Sequence, residues 1–151
     1  MKKIFLITTV FFFFTGCDKE VAKQEKKSIY GSWKLTSFVN QSTNNVLVKS
    51  DFSNSNNITI IFNQELNFTG STVINDFLGN FSLEDRNGQL TFLEFSTTEV
   101  NETEWGNLFY QSLNSNYNQQ TGNWENPYKI MQENILKIFY SEQEYMTFEK
   151  Q

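Results

Sequence analysis

The 151-residue sequence contains no histidine, a single cysteine at Cys17 and a single proline at Pro127. Without histidine there is no Ser-His-Asp triad, no Cys-His dyad and no imidazole-ligated metal, and one cysteine cannot close an internal disulfide. Positive charge is also short: 12 Lys plus Arg stand against 17 Asp plus Glu, for a formal charge of −5 and a sequence pI near 4.8. The body of the chain has no Lys/Arg cluster. Phosphate neutralisation supplies most nucleic-acid affinity, so nucleic acid is not an expected partner. The longest apolar run, Ile4 to Phe14, has eleven residues, whereas a membrane-spanning helix needs about 20.

What is present begins at the N-terminus. Met1-Lys2-Lys3 followed by that apolar run has the proportions of a secretory signal peptide. Phe14-Thr15-Gly16-Cys17 then resembles the lipobox of bacterial lipoproteins, with Phe14 where the usual residue is Leu. The resemblance implies cleavage before Cys17 and lipid attached to it. Each buried CH₂ contributes about 0.8 kcal/mol, so two or more acyl chains hold a protein stably at a membrane where one holds it marginally. Asp18 to Lys27 carries four lysines, three acids and almost nothing apolar, too little to offset the entropy of ordering. The expected organisation is a leader over 1–16, the lipidated cysteine and a flexible tether over 17–27, and one domain over 28–151. The expected location is the bacterial envelope, lipid-anchored through Cys17, with the outer membrane preferred.

Residues 28–151 hold six Lys/Arg and 14 Asp/Glu and so carry −8, a solubilising charge. Their pattern is one of short alternating runs between turn residues, the mark of antiparallel β structure. Strands are expected over Gly31 to Val39 (with Trp33, Leu35, Ser37 and Val39 on one face), Val46 to Val48, Ile58 to Phe62, Leu66 to Val73, Phe77 to Leu83, Gln89 to Phe95, Tyr128 to Met131, Ile135 to Tyr140 and Tyr145 to Phe148. Asn87-Gly88 is the strongest hairpin signal. Trp105, Leu108, Phe109, Ser112 and Leu113 form a helical stripe within Thr103 to Leu113, with Thr103 as its cap. Asn114 to Asn126 is expected as a polar loop closed by Pro127. The fold class is therefore mainly β: a small antiparallel barrel of about eight strands with one helix.

The body opens Gly31-Ser-Trp33-Lys-Leu35, and Ile58 to Phe62 leads into Phe68-Thr-Gly70, then Asn75, Gly79 and Phe81. This order and spacing resembles the META-domain family, whose central motif is a Gly, Cys-Asn, then Gly four and an aromatic six positions after the Asn. Ile74 stands where the family has its motif cysteine, and the second family cysteine has no counterpart near Thr97 to Val100, so no redox role carries over. The resemblance implies a compact β-rich module on exported lipoproteins, without established catalytic activity, in which Gly70, Asn75, Gly79 and Phe81 are structural. Gly31-Ser-Trp33 is also similar to the opening of lipocalin barrels.

Two functional classes stay open. One is a non-catalytic interaction module of the envelope, a monomer with an envelope protein as partner. The other is a small-ligand or glycan binder, with Trp33, Tyr110, Tyr117, Trp124 and Tyr128 as candidate contacts beside the amides of Asn114, Asn116, Asn118, Gln119 and Gln120. Trp33 equally suits a plug at one barrel end. For an enzyme only carboxylate chemistry is available, at Glu102 with Glu104 or Glu142 with Glu144, and these pairs are expected as solvated faces. Asp51, Asn54 and Asn56 do not match a calcium loop. No catalytic site, metal site or cofactor is expected, and the Asn-x-Ser/Thr triplets at Asn40, Asn57, Asn67, Asn80 and Asn101 follow from the Asn-rich composition.

Overall fold

The computed structural model describes residues 28–72 and 74–151. The leader, Cys17 and the tether lie outside the described residues. In chain order the elements are β1 (Gly31–Asn40), β2 (Asn45–Val48), β3 (Thr59–Phe62), β4 (Asn67–Ser71), β5 (Asp76–Glu84), β6 (Gln89–Thr97), α1 (Glu104–Asn114), β7 (Tyr117–Asn118), β8 (Asn123–Met131), β9 (Ile135–Phe139) and β10 (Glu144–Lys150). The sheet runs β10-β9-β8-β6-β5-β4-β3-β1, and β1 pairs with β10 from Trp33↔Lys150 to Asn40↔Glu144. Eight antiparallel strands thus close into a barrel, which removes the exposed edges an open sheet would carry. β2 adds to the far half of β1, and β7 adds to β8.

Alternation sends the large apolar residues inward. Trp33, Phe62, Phe68, Phe77, Phe81, Phe92 and Phe148 are buried to within 2% of complete, together with Leu35, Ile60, Leu90, Leu136, Ile138 and Met146. The rings meet edge-on or tilted, as in Phe62 on Phe81 (centroids 5.1 Å, 77°) and Phe68 on Phe92 (5.0 Å, 77°). Such pairs contribute about 0.5–1.5 kcal/mol each beyond the area they bury.

Two glycines make room for this packing. Gly70 lies opposite Phe77 and Gly79 opposite Phe68 in the β4–β5 register. A Cβ on Gly70 would strike the Phe77 ring; one on Gly79 would strike the Glu94 carbonyl and the tip of Phe68. Each glycine is the floor on which the neighbouring strand's ring lies.

The Gly-x-Trp opening closes one mouth of the barrel. Gly31 has φ 121°, a value that needs glycine. It brings buried Ile29 under Trp33, whose indole N–H donates to the Ile29 carbonyl at 2.6 Å. The opposite mouth is covered by α1. Thr103 caps it by accepting from the Gly106 N–H at 3.1 Å, and Trp105, Phe109 and Leu113 face inward. Trp105 meets Phe38 edge-on at 4.9 Å and 83°.

Two expectations are corrected. The face of β1 does not continue from Leu35 to Ser37 and Val39: the register slips between Leu35 and Ser37, and Phe38 becomes the buried residue. A bulge inserts one residue and reverses the alternation beyond it. The Asn87-Gly88 hairpin is found between β5 and β6, with Gly88 at positive φ (62°) and the Asn87 N–H donating to the Glu84 carbonyl. The stretch from Asn114 to Asn126 is not a plain loop: β7 and the first part of β8 form a hairpin within it. Pro127 sits inside β8, where pairing passes from β6 (Gln89↔Pro127) to β9 (Tyr128↔Ile138), and a missing N–H costs little at that changeover.

Gly79→Ala is expected to destabilise the protein by about 3 kcal/mol, since backbone rather than a pliant side chain blocks the new methyl. Leu78→Ala, on the exposed outer wall, should stay within about 0.5 kcal/mol. Urea unfolding of both variants checks the difference; equal effects would show that Gly79 is not a packing position.

Candidate functional site

The two ends of the barrel divide the candidate residues. At the end closed by Trp33, that side chain is wholly buried and out of reach of any ligand outside the barrel. Tyr128 lies at the same end, on β8, and its hydroxyl donates to Asp85 Oδ1 at 3.1 Å. Burial, the hydrogen bond to Asp85 and the Asp85 charge push its phenol up to about 12. It shares no ring contact with the other candidates.

The remaining three are brought together beside α1. Tyr117 and Trp124 face one another across the β7–β8 hairpin at 5.0 Å, Trp124 meets Phe95 at 6.0 Å, and Phe95 meets Tyr110 edge-on at 6.1 Å. The row is tied down by polar contacts: the Trp124 indole N–H donates to Asn114 Oδ1 at 2.9 Å, and the Tyr110 hydroxyl pairs with Thr97 Oγ1 at 3.1 Å. Burial is the first cause of a raised Tyr110 pKa, opposed by the hydroxyls of Thr97 and Thr72. The neighbouring amides serve the fold. Asn116 Nδ2 donates to the Phe139 carbonyl, and Asn118 takes the Gln120 N–H and gives to Glu125 Oε1. Only Tyr117 presents a largely open ring, at 46% exposure.

The motif asparagine is a clamp. Asn75, 3% exposed, donates through Nδ2 to the Val100 carbonyl and to Glu102 Oε2, and accepts through Oδ1 from Thr98 Oγ1 and the Val100 N–H, all between 2.8 and 2.9 Å. All four hydrogen-bonding positions of its amide are used. They tie the β4–β5 turn to the segment leading into α1. Glu102 is correspondingly not a solvated carboxylate: it accepts from Thr72 Oγ1, Asn75 and the Thr103 N–H, at the positive end of the helix. Gly106 completes the arrangement, because a Cβ there would run into the Glu102 side chain.

A cleft of about 270 Å³ lies on the other flank of α1, lined apart from Glu144 by residues that were not among the sequence-derived site candidates. The helix and its C-cap contribute Leu108, Gln111, Ser112 and Ser115; β1 and β2 contribute Phe38, Asn40, Asn45 and Leu47; Tyr140 follows β9 and Glu144 opens β10. Glu144, expected as a solvated partner of Glu142, is half-buried: Oε1 accepts from Asn40 Nδ2 at 2.7 Å and Oε2 from Ser141 Oγ at 3.3 Å. Burial first, and then the Glu144 charge, raises the Tyr140 phenol above its ordinary range, while the Ser112 hydroxyl acts in the opposite direction. A sequence signal for this cleft does exist, since Leu108, Gln111, Ser112 and Ser115 repeat at i, i+3, i+4 and i+7, with Leu108 and Ser112 shared with the stripe read as core-facing. Among the described residues no group of three or more His, Cys, Asp or Glu is placed to hold a metal ion.

The geometry defines a class: a closed eight-stranded antiparallel barrel with a single helix over one mouth. No protein-family model matches the chain, and no curated protein matches it in sequence. Solved structures do match. A protein from Burkholderia xenovorans, solved by NMR, is 16% identical with a TM-score of 0.56, over 80% of this chain and 81% of that one. A DUF4847 family protein from Bacteroides vulgatus is 18% identical with a TM-score of 0.56, over 80% of this chain and 94% of that one. A lipocalin-like protein from Bacteroides uniformis is 14% identical with a TM-score of 0.48, over 81% and 97%. The first two show that the fold is shared.

The Tyr128 phenol has a folded pKa raised above its unfolded value of about 10, so its stabilising contribution is complete below about pH 10 and is lost as pH rises toward 12. Asp85→Asn should lower the Tyr128 pKa while leaving it above that of a free phenol, because burial, the first cause, remains. Absorbance titration of the wild type, Asp85→Asn and Tyr128→Phe assigns the step; an unshifted Asp85→Asn titration would remove Asp85 as a cause.

Proposed function

We propose that this chain is a lipid-anchored lipoprotein of the bacterial envelope, carrying a META-domain-like barrel that acts as a non-catalytic interaction module. The observation that carries the reading is the filled interior. A barrel that encloses a hydrophobic ligand needs an internal cavity, whereas here most inward positions of β1, β3, β4, β5, β6, β9 and β10 are taken by the chain's own rings and aliphatic side chains, with Asn126 buried on β8. What is left for function is the outer wall, with Ile61, Leu78 and Leu93 exposed on it, and the two mouths. The carboxylates nearest a mouth are tied up in hydrogen bonds with Thr72 and Asn75 at Glu102, and with Asn40 at Glu144, as suits structural groups better than general acids. The lipobox-like Phe14-Thr15-Gly16-Cys17 supplies the anchor and the charged stretch after it supplies reach. The body works as a monomer held at the membrane, and its partner is another envelope component.

The anchor is tested by labelling and fractionation. The wild type should incorporate radiolabelled palmitate and sediment with membranes. Cys17→Ser should do neither and should appear in the soluble fraction. Continued membrane association of Cys17→Ser would overturn anchoring at this residue.

A further inference from the structure

We propose that the cleft between α1, the β1–β2 end and the β9–β10 turn is a binding site for a single sugar ring or a similarly sized uncharged polyol. This goes beyond the interaction-module reading and places the ligand on different residues from the exposed Tyr117 and Trp124 row. At about 270 Å³ the cleft lies just below the usual range for drug-sized ligands and suits one ring.

The chemistry of the lining selects the class. Among the described residues the only formal charge in the cleft wall is the Glu144 carboxylate, and the body around it carries −8, so anions are disfavoured. Glu144 is held in place by Asn40, whose own Oδ1 accepts from Ser42 Oγ at 2.6 Å and from the Thr43 N–H at 3.1 Å. The carboxylate is therefore a fixed acceptor with lone pairs to spare, suited to neighbouring hydroxyl donors. Asn45 and Gln111 stand on opposite walls, exposed, with no side-chain hydrogen bond inside the protein among the described residues. They offer donors as well as acceptors. An ammonium ion, which only donates, would leave those amide donors unanswered; a hydroxyl both donates and accepts and satisfies either end. The apolar part of the lining, Leu47, Leu108 and the half-buried Tyr140 ring, gives the C–H face of a sugar a surface to lie on.

The test uses the chain titrated with D-glucose, D-galactose and N-acetyl-D-glucosamine at millimolar concentrations, followed by amide chemical shifts. Putrescine and inorganic phosphate serve as charged probes. At least one sugar should give saturable shifts centred on Asn45, Gln111, Ser115 and Tyr140. The double variant Asn45→Ala with Gln111→Ala, two exposed positions whose loss leaves the core intact, should weaken that binding roughly tenfold or more. No saturable shift with any of the three sugars overturns the proposal. So do shifts centred on Tyr117 and Trp124, an unchanged affinity in the double variant, or tighter binding of putrescine or phosphate than of the sugars.

Discussion

Eight strands closed on themselves enclose a volume that side chains must fill, and in this chain the filling is aromatic. Phe and Trp rings are too large to interdigitate over a uniformly substituted wall, so the wall carries compensating gaps. Gly70 lies under Phe77 and Gly79 against Phe68. The rest of the architecture follows. The ring of Trp33 seals one end with the help of Gly31, and Trp105 and Phe109 reach in from α1 to seal the other.

The helix in turn depends on a polar clamp. Asn75 and Glu102 join the β4–β5 turn to the helix entry, and Thr103 begins the helix itself. Holding α1 there produces two unlike flanks. On one, Tyr110, Phe95, Trp124 and Tyr117 form a row of rings whose neighbouring amides are committed to the fold. On the other, α1 stands clear of β2 and the β9–β10 turn and leaves a polar cleft around Glu144. Two interior polar atoms remain without a hydrogen-bond partner among the described residues, Trp105 Nε1 and Asn126 Oδ1. Both belong to side chains packed inside the barrel, where space is taken by rings rather than by polar groups.

The barrel class, the helix and its Thr103 cap were legible in the sequence because each has a local cause: period-two alternation, a period-3.6 stripe, a hydroxyl at the first turn. The packing and clamping roles of Gly70, Asn75 and Gly79 have no local signal, since the atoms they make room for or bind lie on other elements. The bulge that turns Phe38 inward left no mark, because a one-residue insertion is decided by the partner strand β10. The hairpin around Tyr117 and Trp124 was hidden by its polar composition. The aromatic residues drew attention as candidate contacts although two of the five, Trp33 and Tyr128, sit at the opposite end from the other three. Glu144 and Asn40, which are 104 residues apart, become neighbours only when β10 closes on β1.

The chain's own aromatic side chains occupy the space in which an open barrel of this size would hold a hydrophobic ligand. Titration with cis-parinaric acid, a fluorescent fatty acid, tests it most directly. The filled barrel predicts no saturable fluorescence enhancement and unchanged emission from Trp33 and Trp105. One-to-one uptake with quenching of those tryptophans would contradict it.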